Sequence, residues 1–218
     1  MKRIIRPVPV DREIVLDPYQ TIMSKTDVKG IIEYANDYFM QICGYKEWEL
    51  MAQPHNVIRH PDMPQIAFKI LWDRLLSGKN MHAVVKNLAK DGSYYWVVTD
   101  FQHKYDEDGN IVALYSRRKA IPAKVKDYFT ELYAKLIEIE KVGGMSASGA
   151  YLQGFLEDNK TNYDDFLLNL FELSEKELMS YMRAQIDDAQ LRGEKSISAE
   201  QAIGATAKKK SFLKRLFN

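Results

Sequence analysis

The chain has 218 residues, of which 46% are hydrophobic and 28% are charged, and its formal net charge is +1. These values are typical of a globular protein with one domain of ordinary size and an appendage, and the small net charge gives no electrostatic case for binding nucleic acid. One cysteine excludes an intramolecular disulfide framework, and no run of 18 apolar residues is present to span a membrane.

Residues 1–20 contain three prolines and charges of both signs, which predicts an extended N-terminal arm with a short strand at Ile14–Leu16. The next two segments, 21–26 and 30–35, carry residues that suit strands. The turn Asp27–Gly30 between them has Asp and Gly where a tight turn uses them. Together these segments predict a β-hairpin.

Three helical segments are predicted after the hairpin. Asn36 is typical of a helix N-cap, and the apolar spacing behind it predicts a short helix that ends at Gly44. Residues 46–51 predict a second helical turn. After the polar connector Gln53–Pro64, the amphipathic pattern of Gln65–Leu76 predicts the clearest helix of this half of the chain.

Three further strands are predicted over residues 81–87, 94–102 and 111–116, with Gly92 and Gly109 in the turns between them. The order of elements is then β-β-α-α-α-β-β-β. We therefore expect an α+β fold in which helices lie between strands two and three of a five-stranded antiparallel sheet. A pocket between the sheet and these helices is a usual place for a cofactor.

The composition changes after Pro122, and an all-helical extension is predicted from there. Helical spacing covers residues 124–141 and 150–157, with a loop at Gly143–Gly144 between the two helices. Residues 162–191 predict two more helices, the first of which begins at the cap-like Asn162.

The C-terminal segment 208–218 carries five positive charges, and its apolar residues share one face if the segment is helical. Two interpretations stay open: weak contact of an amphipathic helix with a membrane surface, and a solvated chain end. The predicted organisation is an N-terminal arm, a domain, a helical extension and a flexible basic tail. Their bounds are residues 1–20, 21–121, 122–192 and 193–218.

The connector Gln53–Pro64 places Arg59, His60 and Asp62 in a stretch with three prolines. Because prolines restrict the backbone, these polar side chains are expected to project from a stiff segment, where ligand contacts are common. A structural interpretation stays open beside this one, in which Arg59 and Asp62 form an ion pair next to a solvated His60.

The order of elements and the segments NDYFMQICGYKEWEL, QPHNVIRHPDMP and KDGSYYWVVTDFQHKYDEDGNIVALYSRRKAI resemble a PAS domain. Within that superfamily, PHNVIRHPDMP followed by FKILWDRL and VVKNLAKDGSYYWV is similar to the sensor domain of Aer-type aerotaxis and energy-taxis receptors. The resemblance covers about residues 20–120. It implies a PAS fold that binds FAD non-covalently and reads its redox state.

The resemblance implies six cofactor-binding residues, namely Asn36, Arg59, His60, Asp62, Trp72 and Asn87. Arg59 would offer a planar cation to the pyrophosphate, and Asn87 an amide to the heterocycle. Structural alternatives stay open, a helix cap for Asn36 and a core aromatic for Trp72. Met81 stands where such domains tend to carry a Trp, and a methionine can pack on the edge of an aromatic ring.

The leading hypothesis is a redox and energy sensor that signals in trans to a chemotaxis receptor or a similar partner. Since no secretory signal is apparent, we expect it in the cytoplasm, associated with a membrane receptor. The sequence has no nucleophile–base arrangement and no metal-ligand spacing, so we expect neither an enzyme nor a metal site. The alternative is a flavin-free PAS module for protein interaction or homodimerisation, which Met81 and the helical extension favour.

Overall fold

A computed structural model of the chain describes residues 6–172. These residues divide into two compact units. The first unit comprises residues 6–63 and 69–121, and the second comprises residues 64–68 and 122–172.

The first unit is built on a five-stranded sheet in which every neighbouring pair is antiparallel, in the order β2-β1-β5-β4-β3. Its strands are β1 at Ile22–Asp27, β2 at Ile32–Ala35, β3 at Ala83–Leu88, β4 at Tyr94–Tyr105 and β5 at Ile111–Ala120. The predicted α+β class, with helices between the second and third strands, is confirmed.

The register of the sheet decides which side chains share its inner face. Ser24 of β1 lies opposite Ser116 of β5, and Thr99 of β4 lies opposite Arg118 of β5. Because side chains alternate along a strand, residues that lie directly opposite each other point to the same side. All four of these residues are buried, so this polar row lies inside the domain.

The helices between β2 and β3 are α1 at Asp37–Cys43, α2 at Glu47–Leu50 and α3 at Gln65–Leu76, with a 3₁₀ helix at His55–Ile58 inside the connector. Helix α1 has the predicted ends. The side chain of Asn36 accepts the N–H of Phe39 at 3.0 Å, and Gly44 closes the helix in the left-handed region at φ 73°.

The N-terminal arm lies along the start of β4. The N–H of Ile14 donates to the carbonyl of Tyr94 at 2.7 Å, and the N–H of Tyr94 donates to the carbonyl of Arg12 at 3.0 Å. The predicted strand at Ile14–Leu16 is wrong, since only an isolated parallel bridge joins Glu13 to Tyr94. The arm therefore hydrogen-bonds to the first residue of β4, beyond the point where β5 ends.

The second unit contains α4 at Ala123–Asp158 and α5 at Tyr163–Glu172. The predicted interruption at Gly143–Gly144 is confirmed, although it is shorter than a loop. Gly144 takes a non-helical conformation, with φ 69° and ψ −176°, so a kink at this residue divides α4 into two helical segments. The predicted helical residues after Glu172 and the segment 208–218 lie outside the described residues.

Candidate ligand-binding site

The connector Gln53–Pro64 brings two of the predicted site residues together. An isolated antiparallel bridge joins the backbones of Arg59 and Asn87, so the connector lies along β3. The guanidinium of Arg59 donates through Nη2 to the carbonyl of Met63 at 2.9 Å, which fixes the path of the segment. The structure thus places an arginine and an asparagine from distant parts of the sequence at the same edge of the sheet.

His60 and Asp62 follow Arg59 but differ in their exposure. His60 is 3% exposed, and its Nδ1 accepts the N–H of Asp62 at 3.1 Å. Burial lowers the pKa of His60 to about 4, and the nearby charge of Lys86 acts in the same direction, so the imidazole is neutral at pH 7. The side chain of Asp62 is 61% exposed and binds Nζ of Lys86 at 2.6 Å.

Asn36 is held by backbone groups on three sides. Its Oδ1 accepts the N–H of Met23 and of Phe39, each at 3.0 Å, and its Nδ2 donates to the carbonyl of Thr21 at 2.9 Å. The structural alternative for this residue, a helix cap, is therefore present in the fold. A contact between Asn36 and a ligand stays a prediction.

Trp72 and Met81 also have defined structural positions. The Trp72 ring packs so closely on the β1–β2 turn that a Cβ on Gly30 would lie 3.0 Å from its Cζ2. Met81 is 2% exposed and precedes β3, and its N–H donates to Oδ1 of Asn80 at 2.7 Å. Their contribution to a ligand pocket stays a prediction.

Several buried polar atoms of the first unit have no hydrogen-bond partner among residues 6–172. They include Nδ2 of Asn87 and the hydroxyls of Tyr45, Tyr95 and Thr99, and each of these four residues is at most 4% exposed. Leaving a buried donor or acceptor unpaired costs about 1–3 kcal/mol, so each case needs an explanation. Asn87 lies directly opposite Tyr95, and burial raises the pKa of Tyr95 well above its ordinary value.

An arginine lies on the inner face of the same sheet. Arg118 is 5% exposed, and it donates through Nη1 to Oγ of Ser24 at 3.1 Å and through Nη2 to Nε2 of His55 at 2.8 Å. Oγ of Ser24 lies 2.9 Å from Oγ of Ser116. We call Arg118, His55, Ser24 and Ser116 the arginine cluster.

The arginine cluster holds one positive charge and no negative charge. Since Nε2 of His55 accepts from Arg118, the ring proton is assigned to Nδ1. Burial, and then the charge of Arg118, keep the pKa of His55 well below its ordinary value, so its ring is neutral. Burial lowers the pKa of Arg118 to about 10, so the guanidinium stays charged at pH 7. Both side chains contact Phe39. The ring centroids of His55 and Phe39 are 5.8 Å apart, and Cζ of Arg118 lies 5.6 Å from the Phe39 centroid.

Sequence reasoning missed the arginine cluster and the unpaired hydroxyls. The signal that carries part of this information is the alternation in β5, where Leu114, Ser116 and Arg118 share one parity and are buried. Arg117 has the other parity and binds Oδ2 of Asp100 at 2.6 Å. Reading the parity requires the register, which the sequence does not state.

Metal ligation and membrane insertion find no support in the described part of the chain. Across residues 6–172, no group of three or more His, Cys, Asp or Glu side chains is arranged to hold a metal ion. None of the described helices combines the length and apolar character that crossing a membrane requires.

Comparison with known proteins agrees with the fold. Residues 32–116 match the family model described as PAS fold, so this part of the chain is a PAS domain. Over 77 residues, 35% of this chain, the sequence is 49% identical to the aerotaxis receptor of Escherichia coli (strain K12). Over 112 residues, 50% of this chain, it is 27% identical to the biofilm dispersion protein BdlA of Pseudomonas aeruginosa. The resemblance inferred from the sequence is confirmed.

The chain spans 15% of the aerotaxis receptor and 26% of the biofilm dispersion protein. Among solved structures, it is similar to the light-state LOV domain of the blue-light photoreceptor Aureochrome1, with 20% identity and a TM-score of 0.46. That match covers 56% of this chain and 94% of the other chain.

Proposed function

We propose that the PAS domain binds FAD non-covalently and acts as a redox and energy sensor. The observation that carries this proposal is the set of buried polar atoms without partners, above all Nδ2 of Asn87 beside the Arg59 bridge. A buried polar group is ordinarily paired, so unpaired groups on one inner face are what a protein with a bound heterocycle requires.

The side chains present suit this ligand. An isoalloxazine ring needs apolar surroundings and hydrogen-bond partners at its edges, which the Asn87 amide and the hydroxyls of Tyr95 and Thr99 supply. A pyrophosphate needs a fixed cation, and Arg59 is held by the carbonyl of Met63 at one nitrogen. Bound FAD would supply reversible electron acceptance.

Asn87 is the residue through which a change at the ligand reaches the protein in this proposal. Its amide donates through Nδ2 and accepts through Oδ1. If a ligand atom gains or loses a proton, a half-turn of the amide presents the oxygen or the nitrogen to that atom and keeps the hydrogen bond. Because the backbone of Asn87 is bridged to Arg59, such a change acts on the connector.

The output of the sensor, in this proposal, lies outside this chain's own chemistry. We propose that the chain is not an enzyme and that it signals in trans, in the cytoplasm, to a chemoreceptor-like partner. Two observations support this part: the similarity to regions of an aerotaxis receptor and of a biofilm dispersion protein, and the long helix α4 that follows the PAS domain. Helical surfaces of this kind suit docking or homodimerisation.

The test is the visible spectrum of the purified full chain, followed by titration with FAD. We expect a yellow protein, or uptake of added FAD, and at least a tenfold weaker affinity in Asn87→Ala. The matched control is Asn110→Ala in the exposed β4–β5 turn, which should bind as the parent does. A colourless, folded chain that takes up no FAD refutes the proposal.

A flavin-free PAS interaction module is the second candidate. Met81 favours this candidate. It stands where the resemblance leads us to expect a tryptophan, so one aromatic contact to the flavin ring would be lost. Binding of the chain to a receptor's cytoplasmic fragment, measured with and without reductant, separates the two. Equal affinity under both conditions, together with a colourless protein, selects the interaction module.

A further inference from the structure

Two adjacent arginines of β5 have opposite electrostatic surroundings. Arg117 points away from the inner face and forms an ion pair with Asp100, whose side chain is 8% exposed. Arg118 points inward and is 5% exposed, yet none of the described residues gives it a carboxylate partner. Buried charges are ordinarily paired, so Arg118 is the exception that needs an explanation.

The groups around Arg118 are neutral. His55 stays deprotonated, and the two serine hydroxyls carry no charge. Besides burial, the ionisable side chains that influence the pKa of Arg118 are Tyr95 and Cys43. Burial raises the pKa of Cys43 to about 11 and that of Tyr95 well above its ordinary value, so both are protonated at pH 7. The inner face therefore holds a net positive charge that nothing in the described part of the chain neutralises.

The position of Arg118 connects it to the unpaired polar atoms. Thr99, whose hydroxyl has no partner within residues 6–172, lies directly opposite Arg118 in the sheet. Tyr95 shares the parity of Thr99 on β4, and Asn87 lies opposite Tyr95. One continuous inner surface thus carries the cation and the groups that lack hydrogen-bond partners.

We propose that the arginine cluster is an anion subsite of the ligand pocket, and that Arg118 neutralises negative charge on the bound ring system. This inference rests on the proposed function and deepens it. Two hydrogen bonds to His55 and Ser24 fix the guanidinium, so its charge is in place before the ligand binds. A fixed cation favours the more negative, electron-rich form of a ligand over its neutral form, which raises the midpoint potential of a redox ligand.

The first measurement uses FAD affinity and midpoint potential in the full chain. We expect Arg118→Met to weaken FAD binding at least tenfold and to lower the midpoint potential of the FAD that still binds. A tenfold loss of preference for the reduced form corresponds to about 30 mV for a two-electron couple. Arg118→Lys keeps the charge without the planar fork and should lie between parent and Arg118→Met. The neighbouring control, Arg117→Met, should leave both values unchanged.

The second measurement needs no ligand and keeps the two proposals separable. In the flavin-free chain, Arg118→Met removes a buried charge without a counter-charge, so the melting temperature should stay equal or rise. Arg117→Met leaves the Asp100 carboxylate without its arginine and should lower the melting temperature. A chain that binds no FAD but shows this contrast refutes the sensor function and retains the anion subsite. Unchanged FAD affinity and potential in Arg118→Met, or melting as low as that of Arg117→Met, overturns the subsite.

Discussion

The backbone of Arg59 is bridged to the backbone of Asn87, which fixes the proline-rich connector against β3. The bridge constrains main-chain atoms only, so the Asn87 amide keeps an unpaired Nδ2 in the described part of the chain. The backbone of this residue is thus held in place while its side chain is left for another partner.

The first prediction concerns two asparagines with opposite roles. Asn87→Leu should be neutral or stabilise the flavin-free chain by about 1 kcal/mol, because it removes a buried amide with an unpaired donor. Asn36→Leu should cost on the order of 2–4 kcal/mol, because it removes three hydrogen bonds, one of them a helix cap. Urea unfolding measures both. Similar losses in the two variants would contradict this account of Asn87.

The second prediction is a pH dependence that arises from His60. Its pKa in the folded chain, about 4, lies below the ordinary value of 6.5, so only the unfolded chain binds this proton between those pH values. The contribution of His60 to the free energy of unfolding is complete above pH 6.5 and is lost as the pH falls to 4. At 1.36 kcal/mol for each pH unit, this contribution amounts to about 3 kcal/mol.

Two variants test this dependence by urea unfolding at several pH values. His60→Asn keeps an acceptor for the N–H of Asp62 and should flatten the slope of stability between pH 4 and 6.5. Lys86→Met removes a charge that lowers the pKa of His60 in the folded chain, so the loss of stability should still begin near pH 6.5 but should end at a higher pH and be smaller in total. An unchanged slope in His60→Asn would assign the dependence to other groups.

The third prediction uses two glycines with similar backbone angles. Gly30 has φ 79° and faces Trp72, whereas Gly109 has φ 82° and open space within 4 Å of the position that a Cβ would take. Gly109→Ala should cost about 1–2 kcal/mol for the left-handed conformation alone. Gly30→Ala should cost about 1–3 kcal/mol more, because Trp72 must move. Thermal unfolding compares them, and equal losses would show that Trp72 yields freely.

The fourth prediction concerns the attachment of the N-terminal arm. Gly92 has φ 87°, and a Cβ there would collide with the carbonyl oxygen of Val8. Gly92→Ala should therefore displace the arm and break the bond from the Val10 N–H to the Gly92 carbonyl. We expect at least tenfold faster hydrogen exchange at Val10 and Ile14, with the sheet amides unchanged. Gly109→Ala is the control, and unaltered exchange at both arm residues would refute the steric argument.

Much of the PAS fold follows from local patterns in the sequence. The cap at Asn36, the stop at Gly44 and the helix Gln65–Leu76 have the predicted bounds, since caps and helical spacing act within a few residues. The strand β5 extends to Ala120, past the predicted end at residue 116. Backbone pairing with β1 and β4 keeps in the strand the charged residues that intrinsic strand propensity disfavours. The pair Gly143–Gly144 correctly predicted an interruption between two helices, but the local pattern does not show that a kink at a single residue makes it.

The candidate site was predictable only in part, mainly where its residues are close together in the sequence. The connector's polar residues stood out from their residue types, Asn87 was implied by the resemblance, and the structure brings Arg59 and Asn87 together. His55 and Arg118 lie 63 positions apart, and their 2.8 Å contact depends on a register and on a 3₁₀ helix that no short pattern specifies. Long-range pairing is thus what local sequence patterns leave undetermined.

The adjacency of Arg117 and Arg118 has a consequence for the alignment of β5. If the strand were displaced by one position, as a one-residue deletion in the preceding turn could cause, an arginine would still face inward. A buried arginine is therefore compatible with both the observed and the displaced register of β5. The small Ser24–Ser116 pair is compatible only with the observed register, because the displacement would put Tyr115 or Arg117 against Ser24. A misaligned strand would keep its buried charge and lose the neutral neighbours that hold the charge in place.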